Sequence, residues 1–222
     1  MKNRFLKNSA LALSLFTLSA QSFADSYLVL DQQGLPVKNA VLEFINPTPK
    51  PISKPGAKPN TLIMDQVDKL FKPDVLVVQQ GDFVDFPNSD NIRHHVYSFS
   101  SVNPFELKLY SGRPEAPLQF NKAGVAVLGC NIHDSMVGYI YIAASKYVLM
   151  TDEQGKATLE DGIKYESVNV WHSSSVTSVK NIAYDNLSRK TNSTDSFVIN
   201  LVVELPEPRN TFQTIFKPNN GE

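Results

Sequence analysis

Cys130 is the only cysteine in the chain. It opens the run Cys130-Asn131-Ile132-His133-Asp134-Ser135-Met136, bracketed by Gly129 and Gly138. A lone thiol cannot form a disulfide within one molecule, so in an exported chain it calls for another role. Here a thiolate, an imidazole and a thioether recur at three-residue intervals in one short loop. Soft sulfur donors beside imidazole suit copper, and two histidines, one cysteine and a weak axial methionine are the donor set of electron-transfer copper sites. The loop supplies three of these four groups. The fourth must arrive from a distant segment, so the fold has to carry two strand ends to one place. Upstream, Asn88-Ser89-Asp90-Asn91-Ile92-Arg93-His94-His95-Val96-Tyr97 holds two of the four histidines. Neighbouring residues of a regular strand face opposite ways, so only one of the pair can meet the ion. Spacing from Asn88 and strand alternation favour His94, leaving His95 as the alternative or as a residue behind the ligands.

The remaining pattern is that of an all-β protein. Thr61 to Ala144 is a series of short apolar segments separated by turn residues, including Leu62-Ile63-Met64, Val75 to Val78, Phe83 to Phe86, His95 to Phe99, Leu107 to Tyr110, Val125 to Leu128 and Tyr139 to Ile142. Regular short strands of this kind indicate a β-sandwich or barrel. Gln66 to Phe71 leaves room for one helical turn at most. Before this stretch, Tyr27 to Leu30 and Ala40 to Ile45 read as two strands joined by the Gly34/Pro36 turn. After it, Lys146 to Leu205 carries about five strands by pattern. Five short strands make a thin sandwich with open edges, marginal by itself. The sequence therefore predicts that residues 25–46 and 146–205 form one discontinuous β-sandwich, with residues 61–145 inserted between them. Insertion at an exposed loop is well tolerated. Pro47, Pro49, Pro51, Pro55 and Pro59 make residues 47–60 a stiff linker, because proline fixes φ and cannot donate to a sheet. Residues 206–222 read as an irregular tail.

Residues 1–24 read as a secretory signal: Lys2, Arg4 and Lys7 precede the apolar run Leu11 to Leu18, and Ser22 and Ala24 are small residues placed for cleavage. The apolar run is too short for a membrane span. A soluble protein of the bacterial periplasm is expected. Without the three basic residues of the signal the formal net charge falls from −1 to −4. That mild acidity argues against a nucleic-acid partner.

The residues just named resemble the cupredoxin family. Cys130, His133 and Met136 have the Cys-x-x-His-x-x-Met spacing of the amicyanin-type ligand loop. Phe71-Lys72-Pro73, Gly81-Asp82, Phe86-Pro87-Asn88, a histidine six residues after that asparagine, and Asn121-Lys122-Ala123-Gly124 follow in the family's order. The resemblance covers about Thr61 to Ala144. It implies a Greek-key β-sandwich with one mononuclear type 1 copper held by His94, Cys130, His133 and Met136. Leu128 to Asp134 is similar to a group of bacterial exported proteins described as methylamine-utilisation-like. Asp31 to Ala40 and Thr151 to Ala157 resemble turns of carboxypeptidase regulatory-like, transthyretin-like sandwiches, where both belong to one domain. Three positions depart from the cupredoxin pattern. His95 stands where the family has an asparagine that braces the two ligand segments, Asn131-Ile132 replaces a small residue and proline, and Asp134-Ser135 replaces apolar residues at the exposed ligand edge.

Several plainer readings compete. A buried free thiol behaves as a small hydrophobe, and zinc also takes cysteine and histidine, though methionine suits it poorly. His172 reads as an ordinary surface or satisfied histidine. Met64 and Met150 read as core filling, and so do Phe83, Phe86, Tyr97, Phe99, Phe105 and Tyr110. One-electron transfer with a redox partner protein is the leading expectation. Periplasmic copper binding and delivery to an acceptor is the alternative, and an envelope interaction module with a copper-binding insert is a third. Catalysis is not expected, because His95 and His172 are too few to build a second copper centre within one chain.

Overall fold

The computed structural model describes residues 24–45, 58–160, 164–189 and 196–204. The expected signal, most of the proline-rich stretch and the tail lie outside the described residues. The protein is all-β: the one helical element among the described residues is a 3-10 turn at Tyr184–Asn186. None of these residues forms a helix long and apolar enough to cross a membrane.

In chain order the strands begin with β1 (Asp25–Leu30), β2 (Val41–Ile45), β3 (Thr61–Ile63), β4 (Asp65–Val67), β5 (Leu70–Lys72) and β6 (Val75–Gln79). Next come β7 (Phe83–Asp85), β8 (His94–Ser98), β9 (Phe105–Tyr110), β10 (Leu118–Gln119), β11 (Gly124–Cys130) and β12 (Val137–Ala143). The last are β13 (Val148–Met150), β14 (Lys156–Leu159), β15 (Ser167–Trp171), β16 (Lys180–Ala183), β17 (Ser188–Arg189) and β18 (Ser196–Asn200).

Two packed groups of sheets result. In the first, strands ordered β14-β1-β18-β17 face strands ordered β13-β2-β15-β16. Alternation explains the core between them: Tyr27 and Val29 of β1, Phe197 and Ile199 of β18, Val168 and Val170 of β15 all point inward. The Tyr27 ring stacks on Phe197 at 5.2 Å and meets Phe44 at 4.9 Å. Each such side chain, fully buried, contributes about 1.5–3 kcal/mol. This sandwich draws β1 and β2 from one end of the chain and β13 to β18 from the other.

In the second group the five-stranded sheet β6-β12-β11-β8-β9 faces the smaller sheet β10-β7-β3. Val96, Ala126, Leu128 and Ile140 pack there with Met64, Val84, Phe86 and Phe120. Gly129 and Gly138 are strand residues of β11 and β12, not turn residues of the loop. A Cβ on Gly129 would come within 2.7 Å of the Tyr97 ring, and one on Gly138 within 2.8 Å of Phe71. Their purpose is the close approach of an aromatic ring to the backbone.

The two sandwiches meet back to back. β2 and β12 are buried on both faces, and Val41, Val75, Tyr141, Ala143 and Trp171 form a third apolar cluster between them. Glu43 lies in this joint, 3% exposed. Its Oε1 accepts the amides of Ala144 and Ser145 at 2.6 and 2.7 Å, and its Oε2 accepts the Tyr141 hydroxyl and the Asn169 amide at 2.8 and 3.0 Å. Burial and this carboxylate hold the Tyr141 phenol well above its ordinary range.

Gln66 to Phe71, where the sequence leaves room for one helical turn at most, forms the β4–β5 hairpin, closed by Asp68 and Lys69 at φ 56° and 59°. Two expectations are corrected. Phe99 is 84% exposed rather than core, because it follows the last residue of β8 and leaves the sheet. Met150 is also exposed, since it ends β13 on the outer side of the sheet, whereas Met64 is fully buried.

Candidate metal centre

The inward face of β8 carries His94, Val96 and Ser98, all buried. On neighbouring β11 the same alternation turns Ala126, Leu128 and Cys130 inward. The strands pair with Cys130 opposite Val96, so their ends bring His94 and Cys130 together. His94 Nδ1 stands 3.6 Å from Cys130 Sγ. The chain then leaves β11 and turns back at once. The Met136 amide donates to the His133 carbonyl at 2.9 Å, closing a turn that aims His133 Nδ1 at Cys130 Sγ across 3.9 Å. Ligand atoms of His94, Cys130 and His133 all lie within 4.8 Å of one another. Met136 is fully buried in the same apolar cluster as Cys130.

These separations fit one metal ion. Metal–nitrogen and metal–sulfur bonds of about 2.0 and 2.3 Å, at angles near 110–120°, place the two donor atoms about 3.5–3.7 Å apart. Two imidazole nitrogens, one thiolate and a buried thioether in reserve form the soft set that suits copper better than zinc or a hard cation. Burial lowers the tendency of His133 to take a proton, and the nearby His94 and Lys69 act in the same direction against the opposing Asp90. A neutral imidazole is the form that ligates.

His95 points away from the centre. Its ring packs edge-on to Tyr97, and its Nε2 lies 2.9 Å from Glu106 Oε1, close enough for an ion pair but without the alignment of a hydrogen bond. Its backbone, not its side chain, ties the two ligand segments: the Asn131 amide donates to the His95 carbonyl at 3.2 Å. Bracing of this kind needs no particular side chain at position 95. Around the rim, Ile132 is 49% exposed and Asp134 and Ser135 are exposed, while His133 is half-buried. His172 lies apart from the centre, accepting the Ser174 amide on Nδ1 at 3.1 Å.

The segment before His94 is held by residues whose role the sequence did not disclose. Asn88 is buried, and its amide donates to the carbonyls of Ile92 and Tyr110 at 2.8 and 3.0 Å. Its Oδ1 accepts the Asp90 amide at 3.1 Å. Asp90 in turn places Oδ2 2.7 Å from His94 Nε2. The turn-like composition of residues 88–91 was the only signal for this arrangement.

No protein-family model matches the chain, and no curated protein matches it. Solved structures similar to part of it include a purple cupredoxin from Nitrosopumilus maritimus, 18% identical over 38% of this chain and 99% of the other, with a TM-score of 0.33. An oxidised amicyanin variant is 18% identical over 47% of this chain and 98% of its own, at 0.33. A copper-containing nitrite reductase from Thermus scotoductus SA-01 is 22% identical over 51% of this chain and 28% of its own length, at 0.36.

Proposed function

We propose that the chain is a periplasmic type 1 copper protein that passes single electrons to and from a partner protein. The observation that carries this reading is the convergence of His94 Nδ1, Cys130 Sγ and His133 Nδ1 at the end of an apolar core, with Met136 buried beside them. Copper bound there would supply reversible one-electron chemistry. The residues of the chain do the rest. His94 and Cys130 are anchored on adjacent strands that share a ladder, so their donor atoms are held in place with or without the ion. Apolar neighbours such as Val96, Phe86 and Leu128 keep water from the sulfur. His133 alone among the three reaches partial exposure, and its outer edge is the shortest path to the surface.

Burial of Cys130 and His94 favours retention of the ion over delivery to an acceptor, because transfer between proteins requires an incoming ligand to reach the donors. The narrower likeness to methylamine-utilisation-like proteins, the transthyretin-like character of the outer sandwich and export by residues 1–24 belong to the same proposal. The test is voltammetry of the copper-loaded protein beside a challenge of the reduced form with a Cu(I) chelator. A carrier shows a reversible one-electron wave, fast self-exchange and slow loss of metal. Rapid loss to the chelator with sluggish electron exchange points to delivery instead.

A further inference from the structure

Asp90 is tied on three sides. Its Oδ1 accepts the Asp68 amide at 2.7 Å and its Oδ2 the Lys69 amide at 3.0 Å. Both amides belong to the left-handed turn of the β4–β5 hairpin, and successive backbone N–H groups of such a turn form a concavity that attracts an anion. The remaining contact is with His94 Nε2 at 2.7 Å. His94 is fully buried and the Asp90 side chain is 13% exposed.

We propose that Asp90 is a positioning residue of the metal centre. It keeps the His94 proton on Nε2, aims Nδ1 at Cys130 and His133, and sets a full negative charge behind that ligand so that the oxidised ion is favoured over the reduced one. The inference rests on the copper reading for its last clause only. Carboxylate is the only group in this position that can do all three things: it accepts from the ring and from both turn amides at once, and it carries charge. A ligating imidazole whose far nitrogen donates to a carboxylate is fixed in tautomer and made a stronger donor. Charge-assisted bonds of this kind are shorter and about twice as strong as neutral ones. The β4–β5 hairpin, though it supplies no ligand, thereby reaches the metal through two backbone amides and one side chain.

Two measurements test the proposal. In the metal-free wild-type protein, nitrogen-15 shifts of the His94 ring should show the proton on Nε2 and a bare Nδ1; a proton on Nδ1 would overturn it. In copper-loaded Asp90→Asn, which keeps an acceptor oxygen but loses the charge, Cu(II) affinity should fall about 10- to 100-fold. Cu(I) affinity should fall less, and each tenfold difference between the two raises the midpoint potential by about 59 mV. Equal loss of both affinities, with an unchanged potential, reduces Asp90 to a structural tether and overturns the electrostatic role. Asp90→Glu should recover part of the lost potential shift. If Asp90→Asn fails to fold, the ring-nitrogen measurement on the wild type still decides the tautomer. If the wild type shows no thiolate-to-copper absorption at all, the copper reading fails, and the ring measurement stands apart from it.

Discussion

Among the described residues of the outer sandwich the inward positions are filled for packing: Tyr27, Phe44, Phe197 and Ile199 belong to one apolar cluster between its two sheets. The sandwich that carries the candidate metal centre is built on the same alternation and ends differently. Along β8 and β11 the inward positions run Ser98, Val96, His94 and Ala126, Leu128, Cys130. The middle residues are core, and the last ones belong to the candidate metal centre. A period of two thus makes packing or chemistry according to which residue falls at the strand end. The centre inherits rigidity and dryness from the apolar rows below it, where electrostatic interactions are stronger than in water.

The two halves are not independent, because Glu43 fastens one to the other. Glu43→Leu should have the largest effect on this joint. Removing the carboxylate leaves the Tyr141 hydroxyl and the amides of Ala144 and Ser145 without their acceptor, and each buried unsatisfied group costs about 1–3 kcal/mol. A loss of about 3 kcal/mol or more is expected, measured by denaturant unfolding. The wild type should lose Trp171 fluorescence and the copper absorption band in one coincident transition, whereas the variant should separate them. A loss below about 1 kcal/mol would show that Glu43 is not what joins the sandwiches.

His172, which follows β15 of the outer half, offers a smaller effect. Burial lowers its proton affinity, against weaker opposing contributions from the Lys38 backbone and Asp74. The unfolded chain therefore takes up a proton near the ordinary value of 6.5 that the folded chain refuses. The contribution is present above that pH and is lost as pH falls through the lowered folded value. His172→Gln, which keeps an acceptor for the Ser174 amide, should make unfolding free energy fall less between pH 7.5 and 5.5 than in the wild type, by no more than about 1 kcal/mol. The copper absorption should not change over the same range beyond what the wild type shows.

The grouping of His94, Cys130 and His133 was legible in the sequence because chemistry limits the candidates: one cysteine, two three-residue intervals and a histidine on an alternating strand leave few choices. The residues behind the donors were not. Asp90 sits in an Asn-Ser-Asp-Asn run that any turn could use, and nothing local says that its carboxylate reaches a ring four residues on. The β4–β5 hairpin was not read from the sequence because its left-handed corner is made by Asp68 and Lys69, without the glycine that usually marks such a corner. Glu43 escaped for another reason. Alternation in β2 places it with Val41 on the face away from the outer core, which is solvent for a lone sandwich and interior once β12 covers it. Phe99 was lost in the opposite direction, since an aromatic residue near a strand end reads as core until the strand is seen to stop.

If Cys130, His94 and His133 bind one copper ion with the thiolate as the dominant ligand, the protein loaded with Cu(II) should show an intense thiolate-to-copper band in its visible spectrum and narrow copper hyperfine splitting in its electron paramagnetic resonance spectrum. Cys130→Ser, recorded beside it, should show neither feature. A wild type without that band, or a variant that retains it, would contradict the assignment.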